Sequence, residues 1–128
     1  MLKIFVSLLA LVVSQFTFAA YPDRSIRLVV PFATGGTSEI IARSVASSLS
    51  TSLGQSVYVD NKPGGAGNIA MEEVKRANPD GYTLMLGHVG TLAVNPALFG
   101  KKLPYDPNKD FAPVTLVAKV PKIGRAHV

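Results

Sequence analysis

A glycine-rich segment that carries three hydroxyl side chains has the composition of an anion-binding loop. Its residues are Thr34, Gly35, Gly36, Thr37 and Ser38. A β-branched apolar run precedes the segment and an apolar helical period follows it, which predicts a junction between a strand and a helix N-terminus. Such a junction gathers unpaired backbone N–H groups at the positive end of a helix dipole. The alternative, an ordinary strand–helix turn with Thr37 or Ser38 as N-cap, stays open from these residues alone.

A second polar segment follows an apolar run over residues 82–87. Its residues are His88, Val89, Gly90 and Thr91. In parallel sheets, ligands bind outside the carboxyl ends of the strands, and both polar segments follow predicted strands. We therefore predict that the two segments meet at one edge of a sheet and hold one small anion. His88 is interpreted as a loop or ligand-contact residue and not as a general base.

The elements that must position these segments alternate along the chain. Strands are predicted over residues 26–32, 57–59 and 82–87, and helices over residues 39–53 and 69–77. This alternation is typical of an α/β fold with a doubly wound parallel sheet, in which helices cover both faces.

Three details of these elements are also predicted. Ile41, Val45 and Leu49 mark the expected buried stripe of the first helix, and Ile40 and Ala42 broaden it. A short helical piece is expected over residues 92–99. A further strand is expected over residues 111–118, where an apolar β-branched run begins after a proline-rich loop.

The first 19 residues have the layout of a secretory signal peptide. Lys3 supplies a positive start, residues 4–13 form an apolar run, and Thr17 and Ala19 place small residues before a cleavage site. This apolar run is too short to span a bilayer. The sequence also contains no cysteine, so it has neither disulfides nor a cysteine for a lipid anchor. We expect a freely soluble protein exported to a bacterial periplasm.

Charge and motifs argue against several classes of protein. The formal charge of +5 falls to +2 without Lys3, Lys122 and Arg125, and the remaining basic residues are scattered, which argues against nucleic acid as a partner. No dinucleotide-binding, phosphate-loop or nucleophile-elbow sequence is present. The two histidines, His88 and His127, lack the spacing of metal ligands. We expect no cofactor, no metal and no enzymatic chemistry.

Seven blocks stand in a recognisable order between residues 21 and 121. They are Tyr21-Pro22-Asp23 with Ile26-Arg27; Val30-Pro31-Phe32 with Gly35-Gly36 and Ala42-Arg43; Leu53-Gly54-Gln55; Asn61-Lys62-Pro63-Gly64-Gly65-Ala66-Gly67-Asn68-Ile69; Pro79-Asp80-Gly81-Tyr82-Thr83-Leu84; Gly90-Thr91 with Asn95-Pro96; and Leu103-Pro104-Tyr105-Asp106 with Asp110-Phe111-Pro113-Val114. In these blocks the chain closely resembles the Bug family, the periplasmic substrate-binding receptors of tripartite tricarboxylate transporters.

The resemblance implies a periplasmic-binding-protein-like fold of type 2, with two α/β lobes and a ligand cleft between them. Residues 20–122 would form the first lobe only, and that lobe is incomplete. The implied ligand is a small organic carboxylate, held by the loops over residues 34–38 and 88–91 through N–H groups, hydroxyls and water. The loop over residues 63–68 is assigned to packing. The implied partners are the membrane permease subunits of the transporter, and we expect a monomer.

The chain departs from the family pattern at its loop and at its end. The family has two prolines where Ala33 and Thr34 stand and an aspartate where Glu39 stands, which leaves the ligand identity open. Residues 123–128 do not continue the family pattern, so we hypothesise a truncated gene model with a non-native tail at residues 123–128. Genomic sequence across codon 122 tests this, and a native stop codon directly after Val128 would contradict it.

Three functions remain as alternatives. The leading hypothesis is a receptor that clamps an organic anion and passes it to a membrane permease. A hydrolase on the same α/β frame is the first rival; it lacks an evident nucleophile–base pair, and turnover of a candidate carboxylate would distinguish it. The second rival is an inactive truncated fragment, which an exposed sheet edge would favour and a cooperative thermal transition would oppose.

Overall fold

The computed structural model describes residues 21–119, so the predicted signal peptide over residues 1–19 and the predicted tail over residues 123–128 lie outside the described residues. The main elements of the described part are β1 (Ile26–Val30), α1 (Thr37–Leu53), β2 (Val57–Asn61), α2 (Asn68–Lys75), β3 (Thr83–Met85) and α3 (Asn95–Phe99). Short helical turns lie at Gly65–Gly67, Gly90–Val94 and Gly100–Lys102. None of the helices within residues 21–119 is long and apolar enough to cross a membrane.

The three strands form one parallel sheet in the order β2-β1-β3. Ile26 pairs with Val57 on one side of β1, and Arg27 pairs with Thr83 on the other side. The predicted alternation of strands and helices and the parallel sheet are confirmed. Because β2 and β3 lie on opposite sides of β1, the carboxyl ends of β1 and β3 flank a topological switch point.

Helix α1 covers the face of the sheet formed by alternate residues of β1. Ile26, Leu28 and Val30 pack against Ala42 and Ala46 of the helix, and all five are buried. Since successive strand residues point to opposite faces, this set defines one complete face of the central strand. The core on this side is therefore built from β-branched and leucine side chains against alanines.

The predicted stripe of α1 is partly correct: Ala42 is buried as predicted, but Ile40 is 67% exposed. Ile41, Val45 and Leu49 are only half-buried, whereas Ala42 is fully buried and Ala46 is 4% exposed. The two small residues form the line of closest approach because they let the helix backbone come near the sheet. Hydrophobicity alone favours the larger residues, so the sequence pattern centred the stripe on these and did not include Ala46.

Helix α2 lies on the opposite face of the sheet. Arg27 points to this face, where its Nη2 atom donates to Oε1 of Glu73 at 2.7 Å and its Nη1 atom lies 3.5 Å from a carboxylate oxygen of Asp60. Ala70 and Met71 of α2 are fully buried. Helices on both faces confirm the doubly wound arrangement.

The predictions for the last two strands are only partly correct. The third strand is shorter than predicted, and all three of its residues are half-buried where a buried strand was expected. The strand predicted over residues 111–118 is wrong, because this segment pairs with no strand among the described residues and Val114 is 83% exposed. An apolar run becomes a strand only where a neighbour supplies the hydrogen-bonding ladder, and residues 21–119 contain none for this segment.

Candidate functional site

The loop between β1 and α1 is open to solvent at the carboxyl edge of the sheet. Its exposed residues are Thr34, Gly35, Gly36 and Thr37, and Ser38 is half-buried. Gly35 has a φ of 92°, a left-handed conformation that glycine adopts without steric cost. Pro31 is fully buried and supports the loop from behind.

Helix α1 has Gly36 as its N-cap, and no side chain bonds to the helix from that position. The alternative that placed Thr37 or Ser38 at the N-cap is therefore wrong. The amide N–H groups and the hydroxyls of Thr37 and Ser38 have no hydrogen-bond acceptor among residues 21–119. Unpaired donors of this kind are expected in the first turn of a helix. Helix α1 has 17 residues, so its dipole places a partial positive charge at these donors.

Glu39 turns back from the first turn of α1 onto the loop. Its Oε2 atom accepts the Gly35 N–H at 2.5 Å, and its Oε1 atom accepts the Nε–H of Arg43 at 2.7 Å. The side chain of Glu39 is 10% exposed, whereas that of Arg43 is 64% exposed. The Gly35 N–H, and after it the Arg43 guanidinium, lowers the pKa of the Glu39 carboxyl.

Sequence analysis alone did not predict the contact between Glu39 and Gly35. Two signals for it were present: Glu39 stands three residues after Gly36, where a capping-box glutamate stands, and four residues before Arg43, where a helical ion pair forms. The first signal is incomplete in this sequence because a capping box begins with serine or threonine.

The turn after β3 is held by hydrogen bonds within itself. Thr91 Oγ1 donates to the main-chain oxygen of His88 at 3.1 Å and accepts the His88 N–H at 3.3 Å. The Gly90 N–H donates to Nδ1 of His88 at 3.0 Å. Val89 is 48% exposed, His88 and Gly90 are half-buried, and Thr91 is fully buried. The solvent-facing part of this turn is therefore made by residues 88–90, while Thr91 fixes its shape.

Phe32, two residues before the loop over residues 34–38, contacts the turn over residues 88–91 at the switch point. The rings of Phe32 and His88 are in edge-to-face contact, with centroids 5.1 Å apart. Beneath them, a Cβ atom added to Gly67 would lie 2.5 Å from Cγ2 of Thr91 and 3.2 Å from Cβ of Pro31. Gly67 thus lets three loops approach. Gly67 itself is buried, whereas residues 63–66 of the loop assigned to packing are exposed.

A buried polar network supports the turn after β3. Nδ2 of Asn95 donates to the Ala66 carbonyl oxygen at 2.9 Å and to Oδ1 of Asn68 at 2.7 Å. The Tyr105 hydroxyl donates to the Thr91 carbonyl oxygen at 2.6 Å. Burial raises the pKa of Tyr105. Sequence analysis did not predict this network, because its members are far apart in the sequence.

The candidate site is an open edge and not an enclosed pocket. Two shallow depressions of about 510 and 520 Å³ lie elsewhere on the described residues, one beside Lys75 and Tyr105 and the other beside Arg24 and Arg76. Neither is lined by the loops over residues 34–38 and 88–91. Residues 21–119 also contain no cluster of three acidic, histidine or cysteine side chains that could hold a metal ion.

Comparison with known families gives a match to the model described as the tripartite tricarboxylate transporter family receptor, over residues 41–124. The chain belongs to this receptor family. The match includes most of α1, all of β2, α2 and β3, and the turn that contains His88. The resemblance to this family drawn from the ordered blocks is confirmed.

Members of the receptor family are similar to the chain in sequence and in structure. A UPF0065 protein of Bordetella bronchiseptica is 46% identical over 114 residues, which cover 89% of this chain and 34% of that protein. The structure of MatC from Rhodopseudomonas palustris, with bound malate, has a TM-score of 0.72 and 43% identity over 76% of this chain and 33% of that one. The periplasmic binding protein BugD has a TM-score of 0.66 and 44% identity over 71% of this chain and 30% of its own.

The chain spans about a third of the length of the relatives it matches. The described residues are a partial α/β domain of the periplasmic-binding-protein type, with a parallel sheet. The expected fold class is therefore confirmed.

Proposed function

We propose that the chain is the first lobe of a receptor that binds a small organic carboxylate at the edge formed by the loop over residues 34–38 and the turn over residues 88–91. The observation that carries this proposal is the contact of Phe32, which precedes the first loop, with His88 of the turn, beside the open N-terminus of α1 at the switch point. A carboxylate needs several convergent donors and a favourable potential, and this edge offers both.

The loop over residues 34–38 supplies the donors. Five donor groups of this loop make no hydrogen bond to any described residue: the amides of Thr37 and Ser38 and the hydroxyls of Thr34, Thr37 and Ser38. A ligand can therefore accept hydrogen bonds from these groups without disrupting the fold. Gly35 and Gly36 leave room for the ligand, because a Cβ added to either would meet no atom within 4 Å. The helix dipole adds an attraction for negative charge.

The turn over residues 88–91 supplies the second wall. The His88 ring is held against the backbone of this turn, because its Nδ1 accepts the Gly90 N–H. Val89 presents an exposed apolar surface for the carbon skeleton of the ligand. Thr91 contributes by holding His88 and Gly90 in place, since its own side chain is buried.

The chemistry of the ligand is supported by the relatives. The structure of MatC contains malate, a small dicarboxylate, and shares 43% identity with this chain across the matched region. The family description names tricarboxylates. We therefore place the ligand in the class of small di- and tricarboxylates.

Location and partners follow from the same proposal. The family description and the periplasmic binding protein BugD support a periplasmic receptor that delivers its ligand to the permease subunits of a tripartite tricarboxylate transporter, without catalysing a reaction. Export would use residues 1–19 as the signal peptide. We propose that the receptor acts as a monomer, because closure of two lobes around a ligand needs no second copy.

A titration with malate tests the proposal. One lobe encloses only half of a cleft, so binding to this chain should be weak and is best followed by amide chemical shifts in a ¹⁵N-labelled sample. Malate at millimolar concentration should shift the amides of Thr37 and Ser38 and those of the turn over residues 88–91. Succinamide, which has no charge, is the control. Equal shifts with both compounds, or shifts outside the two loops only, would overturn the carboxylate site.

A further inference from the structure

The carboxylate of Glu39 occupies the position at which an external anion would otherwise meet the Gly35 amide. It accepts the Gly35 N–H at 2.5 Å, and it is nearly buried, with 10% of its side chain exposed. Within residues 34–38 the Gly35 N–H is therefore already bonded, whereas the N–H groups of Thr34, Gly36, Thr37 and Ser38 donate to no described residue.

The negative charge of Glu39 is balanced on its other oxygen. Nε of Arg43 donates to Oε1 at 2.7 Å, and Nη2 of Arg43 lies 2.5 Å from the same atom. Because the pair is neutral as a whole, the carboxylate can stand beside the proposed ligand without cancelling the attraction of the helix N-terminus. The exposed guanidinium also keeps the glutamate in the rotamer that reaches the loop.

We propose that Glu39 is a positioning residue for ligand binding. Arg43 holds the Glu39 carboxylate, and the carboxylate in turn holds the Gly35 N–H. This tether fixes the backbone of residues 34–36, so that the amides and hydroxyls of Thr37 and Ser38 stay open toward the ligand. This inference rests on the proposed function. Without the tether, Gly35 and Gly36 form a flexible pair, and each bound ligand must first order them.

The chain contains a matched control for this ion pair. Glu72 of α2 and Arg76, the C-cap of that helix, also stand four residues apart and also form an ion pair. Their hydrogen bonds reach no loop amide among residues 21–119. A change at Glu72 therefore removes a comparable ion pair without releasing a loop.

Three variants, Glu39→Ala, Glu39→Gln and Glu72→Ala, are compared with the wild-type chain in two measurements. The first measurement is hydrogen exchange of the Gly35 amide, which needs no ligand. A charge-assisted hydrogen bond should slow this exchange at least about tenfold in the wild type. Glu39→Ala should abolish the protection, Glu39→Gln should keep part of it through the amide oxygen, and Glu72→Ala should leave it unchanged.

The second measurement is the dissociation constant for malate. Glu39→Ala should weaken binding about tenfold, Glu39→Gln should stay within about threefold of the wild type, and Glu72→Ala should match the wild type. Stronger binding of malate by both Glu39 variants would overturn the proposal, since it would show that the Glu39 carboxylate repels the ligand. A lower melting temperature with unchanged malate affinity would also overturn it, since the role would then be structural only.

The two measurements separate this inference from the proposed function. If malate shifts no amide in the wild type, the proposed function fails, and the claim about affinity fails with it. If malate binds and Gly35 exchange is the same in wild type and Glu39→Ala, the carboxylate site stands and the positioning role of Glu39 is overturned.

Discussion

The hydroxyl of Tyr105 donates a hydrogen bond to the main-chain oxygen of Thr91 across 2.6 Å. This bond joins the loop after α3 to the turn after β3, 14 residues earlier in the chain. Tyr105 is 4% exposed and Thr91 is fully buried, so neither group can turn to water instead. The shape of the turn over residues 88–91 thus depends on a residue outside the proposed binding edge.

Tyr105→Phe should destabilise the fold while keeping the ring in place. The change removes the bond to Thr91 and leaves a buried carbonyl oxygen unsatisfied, which should lower the free energy of unfolding by about 1–2 kcal/mol. Urea denaturation measures this difference. Tyr58→Phe is the control, because Tyr58 is 48% exposed and should tolerate the change. A Tyr105→Phe protein as stable as the Tyr58→Phe protein would show that the bond contributes nothing.

Gly67→Ala should be among the most destabilising single substitutions in the described residues. The new Cβ would lie 2.5 Å from Cγ2 of Thr91, and the φ of 87° is unfavourable for alanine. The two effects together should cost about 2–5 kcal/mol.

Gly54→Ala separates the two contributions to the cost at Gly67. Gly54, the C-cap of α1, has a φ of 67° and no atom within 4 Å of an added Cβ. Gly54→Ala should lower the free energy of unfolding by the backbone cost alone, about 1–2 kcal/mol. Equal losses of unfolding free energy at Gly54 and Gly67 would mean that the close approach between the loops is not as tight as described.

Acid should destabilise the chain through two carboxyl groups. Hydrogen bonds from Lys75 and from the Asp106 N–H lower the pKa of Asp110, as those from Gly35 and Arg43 lower the pKa of Glu39. A lowered folded-state pKa means that the stabilisation is complete above the ordinary values of 4.5 for Glu39 and 3.8 for Asp110, and is lost as the pH falls through the lowered values.

Urea unfolding between about pH 7 and pH 3 measures this acid dependence. Glu39→Gln and Asp110→Asn should each reduce the slope of unfolding free energy against pH, and the double variant should reduce it further. A double variant with the wild-type slope would assign the acid sensitivity to other carboxyl groups.

Val89→Asp should weaken malate binding without unfolding the chain. Val89 is 48% exposed on the turn after β3, and a new negative charge at contact distance from a carboxylate should cost about 1 kcal/mol, or about fivefold in affinity. Ser48→Asp changes the net charge equally from an exposed position on α1. It lies about 16 Å along the helix from Thr37, beyond the screening length of physiological salt. If both variants weaken malate binding equally, the effect comes from net charge and the edge over residues 88–91 is not the site.

Local chemistry in the sequence was sufficient to predict the order of elements around the switch point. Alternating apolar periods and glycine-rich junctions predicted β1, α1, β2, α2 and β3 and the parallel sheet, because each period depends on neighbouring residues only. The same reasoning predicted that the loops after β1 and β3 share one edge, since parallel strands end on the same side. Phe32, two residues before the first segment, lies 5.1 Å from His88 between ring centroids, whereas a joint ligand site of residues 34–38 and 88–91 stays a prediction.

Packing between distant elements decided what the sequence pattern could not. The buried line of α1 runs through Ala42 and Ala46 because the closeness of a helix to a sheet depends on side-chain size at the contact and not on hydrophobicity alone. The segment over residues 111–118 has a strand-forming composition but no partner among the described residues, and pairing is a property of two segments.

At the candidate site, too, the sequence determined the local features and the tertiary structure decided the rest. The types and spacing of Thr34 to Ser38 indicated an anion-binding loop from the sequence by itself, because glycines, hydroxyls and a following helix are local features. The state of each donor became clear only in the folded structure: Glu39 bonds to the Gly35 amide, a local contact whose sequence signal is incomplete, while Thr91 holds His88 and is itself held by the distant Tyr105. Whether a hydrogen-bonding group stays open to a ligand depends on which residues the fold brings within about 3 Å of it, and no local pattern encodes that distance for partners as far apart in sequence as Thr91 and Tyr105.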